Sequence, residues 1–164
     1  MTESSEKFLK TIRFDPSDTR VYERPADPDE WAIPGGFEFA GLDGEMPTGK
    51  TRQAFSHGFL SLESFGRSTF VSVAEVADDA RARLEQGLAS HFLDRCGAPD
   101  REQALAAARE EIGFVCDLCA DVAVGSVFAL QRSFDEHGEV REVFRLADPR
   151  AARPHARVWE IVEE

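Results

Sequence analysis

Gly44, Gly49, Lys50 and Thr51 are the residues of this chain whose types and spacing come nearest to a reaction site. Two glycines with four residues between them, followed by Lys and Thr, fit the phosphate-loop template. In that motif backbone amides cradle a nucleotide's phosphates, the Lys reaches them and the hydroxyl holds magnesium. A short apolar piece precedes the match and an apolar helical segment follows it. Phe70–Glu75 is a later apolar strand ending in an acid that could organise the ion. Four features oppose this reading. Glu45 puts a negative charge where phosphate would lie, and Pro47 removes an amide donor. The preceding segment carries Glu38, whereas the central strand of such a fold is buried on both faces. No strand–helix alternation follows. The expectation is therefore a helix starting at Thr48-Gly49 with Lys50 in solvent. Nucleotide binding through Gly44, Gly49, Lys50 and Thr51 is the alternative.

Cys116-Asp117-Leu118-Cys119 is a CxxC, and Cys96 is a third thiol. On a helical hairpin Cys96 lies at the junction and Cys116 well up the returning helix, about 24 Å away at ~1.5 Å per residue. That is too far to share an ion. Redox CxxC pairs sit at helix N-termini, where the dipole favours thiolate; this pair sits near a C-terminus. Buried structural cysteines are expected. His57, His91, His137 and His155 are scattered, none with a partner three or four residues on. Glu110, Asp117 and Asp121 fall along one helix side, which in so acidic a chain reads as a solvated face. GxSxG, HExxH and GxGxxG are absent. No catalytic residue, metal site or cofactor is expected.

The elements that must position these residues follow from pattern. Phe8–Phe14 alternates as a strand, Asp15-Pro16-Ser17-Asp18 reads as a type I turn, and Arg20–Arg24 returns as a second strand. Trp31–Ile33 and Gly36–Ala40, split by Pro34-Gly35, suggest a bent edge strand. Thr48 opens a helix to Phe59 or Leu60, with Ala54, Phe55, Phe59 and Leu62 on one face. Ser68–Val76 is a strand. Two helices over about 78–96 and 101–120 carry continuous apolar stripes; Gly97 stops the first, and Asp100 with Gln103 starts the second. Gly125–Phe134 and Glu139–Leu146 flank the turn Asp135–Gly138 as a hairpin, and Val158–Val162 reads as a further edge strand. This order implies an α+β domain, a mainly antiparallel sheet with an antiparallel helical hairpin on one face.

The size suits one domain over 1–164, with 1–7 as a flexible lead. Phe supplies 13 aromatics against 2 Trp and 1 Tyr, so the core should be built on phenylalanine. A net charge of −12 repels nucleic acid and anionic lipid. The six Arg between 132 and 157 are nearly cancelled by neighbouring acids. An odd cysteine count, with no signal-like or membrane-spanning run, suits a reduced, cytoplasmic protein.

Two long segments, FLKTIRFDPSDTRVYERPADPDEWAIPGGFEFA (Phe8–Ala40) and TGKTRQAFSHGFLSLESFGRSTFVSVAEV (Thr48–Val76), carry a family resemblance that continues through the helices and the closing hairpin. The chain resembles small, uncharacterised proteobacterial proteins grouped as a domain of unknown function. Their signature falls in the TGKTRQAFSHGFLSLESFG-like segment. The resemblance implies no activity, cofactor or catalytic residue; it does imply an association with cofactor-ligase-like and molybdoenzyme-accessory proteins. The combined expectation is a non-enzymatic binding or accessory protein, acting through a protein or small-molecule partner, with nucleic acid and membrane excluded.

Overall fold

The computed structural model describes residues 6–13, 17–42 and 44–147. In chain order it contains β1 (Glu6–Ile12), α1 (Asp18–Val21), β2 (Trp31–Ile33), a 3₁₀ helix (Gly36–Leu42), α2 (Gly49–His57), β3 (Phe59–Ser61), β4 (Arg67–Ser68), β5 (Phe70–Val76), α3 (Asp78–Arg95), α4 (Arg101–Cys119), β6 (Val127–Phe134) and β7 (Val140–Ala147). The strands form a seven-stranded sheet in the order β4-β3-β2-β1-β5-β6-β7. Each ladder between them is antiparallel. The protein is α+β, with the α3–α4 hairpin packed against the sheet.

The helical hairpin forms as its pattern dictates. Asp100 caps α4, its carboxylate accepting from the Gln103 amide at 2.8 Å. Leu88, Ala89 and Phe92 of α3 and Ala104, Ala108, Ile112, Val115, Cys116 and Cys119 of α4 are buried. The alanines let the two helices approach closely. Gly97, at φ 79°, turns the chain between them. On the sheet, Phe8 and Leu9 are neighbours in one strand and so point to opposite faces, yet both are fully buried. The centre of the sheet is therefore covered on both sides, and α4 lies against β1 and β2.

The sheet is also curled. Phe59 of β3 and Phe144 of β7 stand near opposite ends of the strand order, but their rings are 6.3 Å apart. Gly35 and Gly36 make the curl possible. Gly35 has φ +74°, and a Cβ there would lie 2.4 Å from the Leu60 Cβ. A Cβ on Gly36 would lie 2.6 Å from a Glu142 carboxylate oxygen. A side chain at Gly35 would collide with β3, and one at Gly36 with the Glu142 carboxylate of β7.

Several expectations are corrected. The opening hairpin is not formed: Arg20–Arg24 is no strand, α1 occupies Asp18–Val21, and β1 pairs with β2 and β5. A long alternating strand such as β1 gains more from two central ladders than from a short local hairpin. β1 begins at Glu6, inside the segment expected as a lead, and Phe14–Pro16 lie outside the described residues. Gly36–Ala40 belongs to a 3₁₀ helix, and β2 is an interior strand between β1 and β3. The helix from Thr48 ends at His57, because Phe59–Ser61 is recruited as β3 once Gly58 breaks the helical run. The strand expected over Ser68–Val76 is interrupted at Thr69, which separates β4 from β5. Val158–Val162 lies outside the described residues.

Candidate functional site

Arg132 is a charged residue at an inward position. It follows Phe128 and Leu130 on one side of β6, and its side chain is fully buried. Its guanidinium donates to the carbonyls of Phe55 (2.7 Å), Pro34 (2.8 Å), Ala54 (3.3 Å) and Gly58 (3.4 Å), and to Glu142 Oε2 (3.0 Å). Three of those carbonyls close α2, so a cation lies where the helix dipole is negative. Arg67, on β4, approaches from the other side. It donates to the Gly58 carbonyl (3.0 Å) and to Glu38 Oε1 (2.7 Å). The Phe39 ring lies near both guanidiniums, 4.7 Å from Arg67 Cζ and 5.3 Å from Arg132 Cζ.

Burial works against both charges. It pulls the Arg67 guanidinium down to about 10, opposed by Glu38 and reinforced by the like charge of Arg132. Burial also lowers Arg132, and Glu142 opposes the shift. At about 10 the Arg67 guanidinium remains a cation at neutral pH. Each guanidinium is tolerable because its donors meet carbonyl oxygens and a carboxylate in place of water.

Glu38 extends this network to the surface. Its carboxylate binds Arg67 and, through the other oxygen, His91 Nε2 at 3.1 Å. The His91 ring stacks on Phe65, with centroids 4.2 Å apart and planes within 11°. Phe65 sits at φ 59°, a left-handed conformation that costs a side chain roughly 1–2 kcal/mol. Phe65 stands in the turn between β3 and β4, with its ring against His91.

Two adjoining clefts meet at Glu38, Phe65 and Arg24. One, of about 200 Å³, is lined by Tyr22, Phe39, Lys50, Thr51 and Arg67. The other, of about 410 Å³, runs along the end of α3 past Ser90, His91, Asp94 and Arg95. Together they form a groove with aromatic and arginine walls. Among the described residues, Arg24 and Lys50 have no ion-pair partner. Glu23 also reaches the groove. A histidine held by a carboxylate has the geometry of an oriented base. Ser90, its neighbour in sequence, is taken up by Arg101 at 2.9 Å.

Of the residues singled out from the sequence, Lys50 and Thr51 line the smaller cleft from the first turn of α2. Gly49 starts that helix at φ 64°. Gly44, at φ 84°, lies elsewhere: a Cβ on it would be 3.0 Å from Gly138 Cα in the β6–β7 turn. A 3₁₀ helix precedes the segment, and α2 leads into an antiparallel sheet.

Cys116 and Cys119 are buried and Cys96 is exposed. Burial pushes the Cys116 thiol up to about 11 and the Cys119 thiol up to about 12, so both stay protonated at neutral pH. Arg81 Nη1 lies 3.5 Å from the Cys116 sulfur. Glu110, Asp117 and Asp121 are exposed. Among the described residues no group of three or more His, Cys, Asp or Glu could hold a metal ion. His57 Nδ1 lies 3.0 Å from the Leu130 carbonyl, His137 is exposed in the β6–β7 turn, and His155 lies outside the described residues.

Sequence reasoning missed Glu38 as a hub, Arg67, Arg132, Phe65 and His91. Only Arg132 left a signal, as an Arg on the apolar parity of a strand. The other four meet across separate elements, and no local pattern marks such a meeting.

Among the described residues no helix is long and apolar enough to cross a membrane. No curated protein and no solved structure matches the chain. A family model does match, over residues 6–158, which take in the whole groove and the arginine network beneath it. The chain belongs to that family, a family of unknown function (DUF6505).

Proposed function

We propose that the protein is a binding or accessory protein with no catalytic chemistry of its own, and that its ligand is a small anion-bearing molecule held in the groove. The observation that carries this reading is the pair of cations Arg24 and Lys50, neither with an ion-pair partner among the described residues, at a groove walled by Phe39 and Phe65 in a chain of net charge −12. Cations left uncompensated on so acidic a surface attract an anion locally. The rings offer apolar area for the rest of the ligand. Arg67 and Glu38 are engaged with each other, so they shape the groove and Arg24 and Lys50 meet the ligand.

A thermal-shift screen with phosphate- and carboxylate-bearing aromatic compounds tests the reading. Stabilisation of the native chain that is lost in Lys50→Ala and reduced in Arg24→Ala is expected, without any need for magnesium. No stabilisation at millimolar concentrations would overturn it.

The nucleotide reading keeps one specific observation in its favour, that Lys50 and Thr51 both face the smaller cleft. It requires stabilisation by ATP or GTP only with magnesium, abolished by Thr51→Ala. The magnesium and Thr51→Ala arms of the same screen separate the two.

A further inference from the structure

The 3₁₀ helix serves two clefts. Glu38 and Phe39 line the groove, whereas Gly36 and Phe37 line a separate cleft of about 540 Å³. The other walls of that cleft come from α4 and β7. Glu111 and Phe114, three residues apart, share one face of α4. Val140, Glu142 and Phe144 alternate along one face of β7, which leaves Arg141 and Arg145 on the other. The groove and this cleft have no lining residue in common.

Its walls are aromatic and negative. Phe114 is 45% exposed, and the Phe144 ring lies 5.7 Å away at an angle of 49°. Phe37 adds a third ring. Aromatic faces carry partial negative charge and attract cations. Two carboxylates face the same space, and no Lys, Arg or His is among the described residues that line it. Arg132 takes up Glu142 at 3.0 Å. Glu111 has no ion-pair partner among the described residues. One carboxylate is thus left facing three rings without a counter-charge. Burial raises its carboxyl above the ordinary value, and Glu142 and Glu110 add to the shift. A cation alongside it acts in the opposite direction.

The chemistry of the walls selects the occupant. An anion is repelled by both carboxylates, and a neutral hydrocarbon leaves Glu111 unmatched in a partly buried position. A quaternary ammonium suits the rings but has no N–H to give a carboxylate. A primary ammonium suits both, since its N–H groups donate to Glu111 while its stem packs on the rings. The volume falls within the range of small-molecule sites. We propose that this cleft binds a small molecule carrying a primary ammonium on an apolar or aromatic stem. Glu111 accepts from the ammonium, and Phe37, Phe114 and Phe144 enclose the stem. The site is independent of the anion-binding groove, with the opposite charge preference and its own residues.

Phenethylammonium, titrated into the full chain by calorimetry and thermal shift, tests the proposal. It should bind and raise the melting temperature, whereas phenethyl alcohol, of nearly the same shape without the charge, should not. Glu111→Gln should weaken binding by about tenfold or more. The same substitution relieves a buried like charge, so the loss of binding should come without loss of folding. Phe114→Leu, which keeps apolar bulk at an exposed position and removes the ring, should weaken binding by about threefold. Glu110→Gln makes the same change in net charge at the neighbouring exposed position, outside the cleft, and should leave affinity within about twofold. Four results would overturn the proposal: no binding at millimolar amine, equal binding of phenethyl alcohol, equal loss in Glu110→Gln (attraction to the acidic surface at large), or equally tight binding of the trimethylated amine, which has no N–H to donate.

Discussion

The helical hairpin and the stretch from Pro34 to Arg67 bury their residues by opposite means. α3 and α4 meet through Leu88, Phe92, Ala108, Ile112 and Val115, side chains that need nothing from their surroundings except exclusion of water. The other stretch is held from beneath by Arg132 and Arg67, which satisfy the carbonyls of Pro34, Ala54, Phe55 and Gly58 and the carboxylates of Glu38 and Glu142. Apolar packing tolerates substitution in proportion to the volume removed. A buried polar network does not, since deleting one member strands the others without partners. The groove is built on this second, less forgiving region.

Arg132→Met is the most damaging of three substitutions that test this contrast. The side chain keeps its bulk, but four carbonyl contacts and the Glu142 pair disappear together. A loss of about 4 kcal/mol is expected in denaturant unfolding. Ile112→Ala, in the fully buried seam of α4, should cost about 3 kcal/mol and leave any groove ligand bound as before. If Ile112→Ala proves the costlier of the two, the contrast between the regions fails.

The third substitution has the opposite sign. Glu111 on α4 lines a cleft of about 540 Å³ with Phe37, Phe114 and Glu142. Burial raises its carboxyl above the ordinary value, helped by Glu142 and Glu110. A carboxyl raised in the folded state contributes stability while protonated, at low pH, and that contribution is lost as pH rises through its folded value. Glu111→Gln should therefore stabilise the protein at neutral pH, by no more than about 1 kcal/mol. The gain should vanish in acid, which melting temperatures across pH would show.

What could be read from the chain follows the same division. The apolar stripes, Gly97 and the Asp100–Gln103 cap placed α3 and α4 to within a residue or so, because each signal is local. The β6–β7 hairpin was legible for the same reason. Phe59 looked helical because it continues the spacing of Ala54 and Phe55, yet it lies in β3, where pairing with Ser68 decides its conformation. Arg20–Arg24 failed as a strand because β1 found its partners far along the chain. In the groove, Lys50 and Thr51 stood out by motif, whereas Phe65, His91 and Glu38 come together from a turn, a helix and a 3₁₀ segment. Their distances exist only after the sheet has curled.

The curl has a consequence for the ribosome. Arg132 serves carbonyls at positions 34, 54, 55 and 58, so the early part of the chain emerges well before the residue that satisfies them. The helical hairpin can associate as soon as Cys119 is clear of the exit tunnel. The wall that becomes the groove must wait, with its carbonyls in water, until β6 has been translated and folded back. Synthesis and folding are therefore out of step in this protein, and the binding face is among the last parts to close.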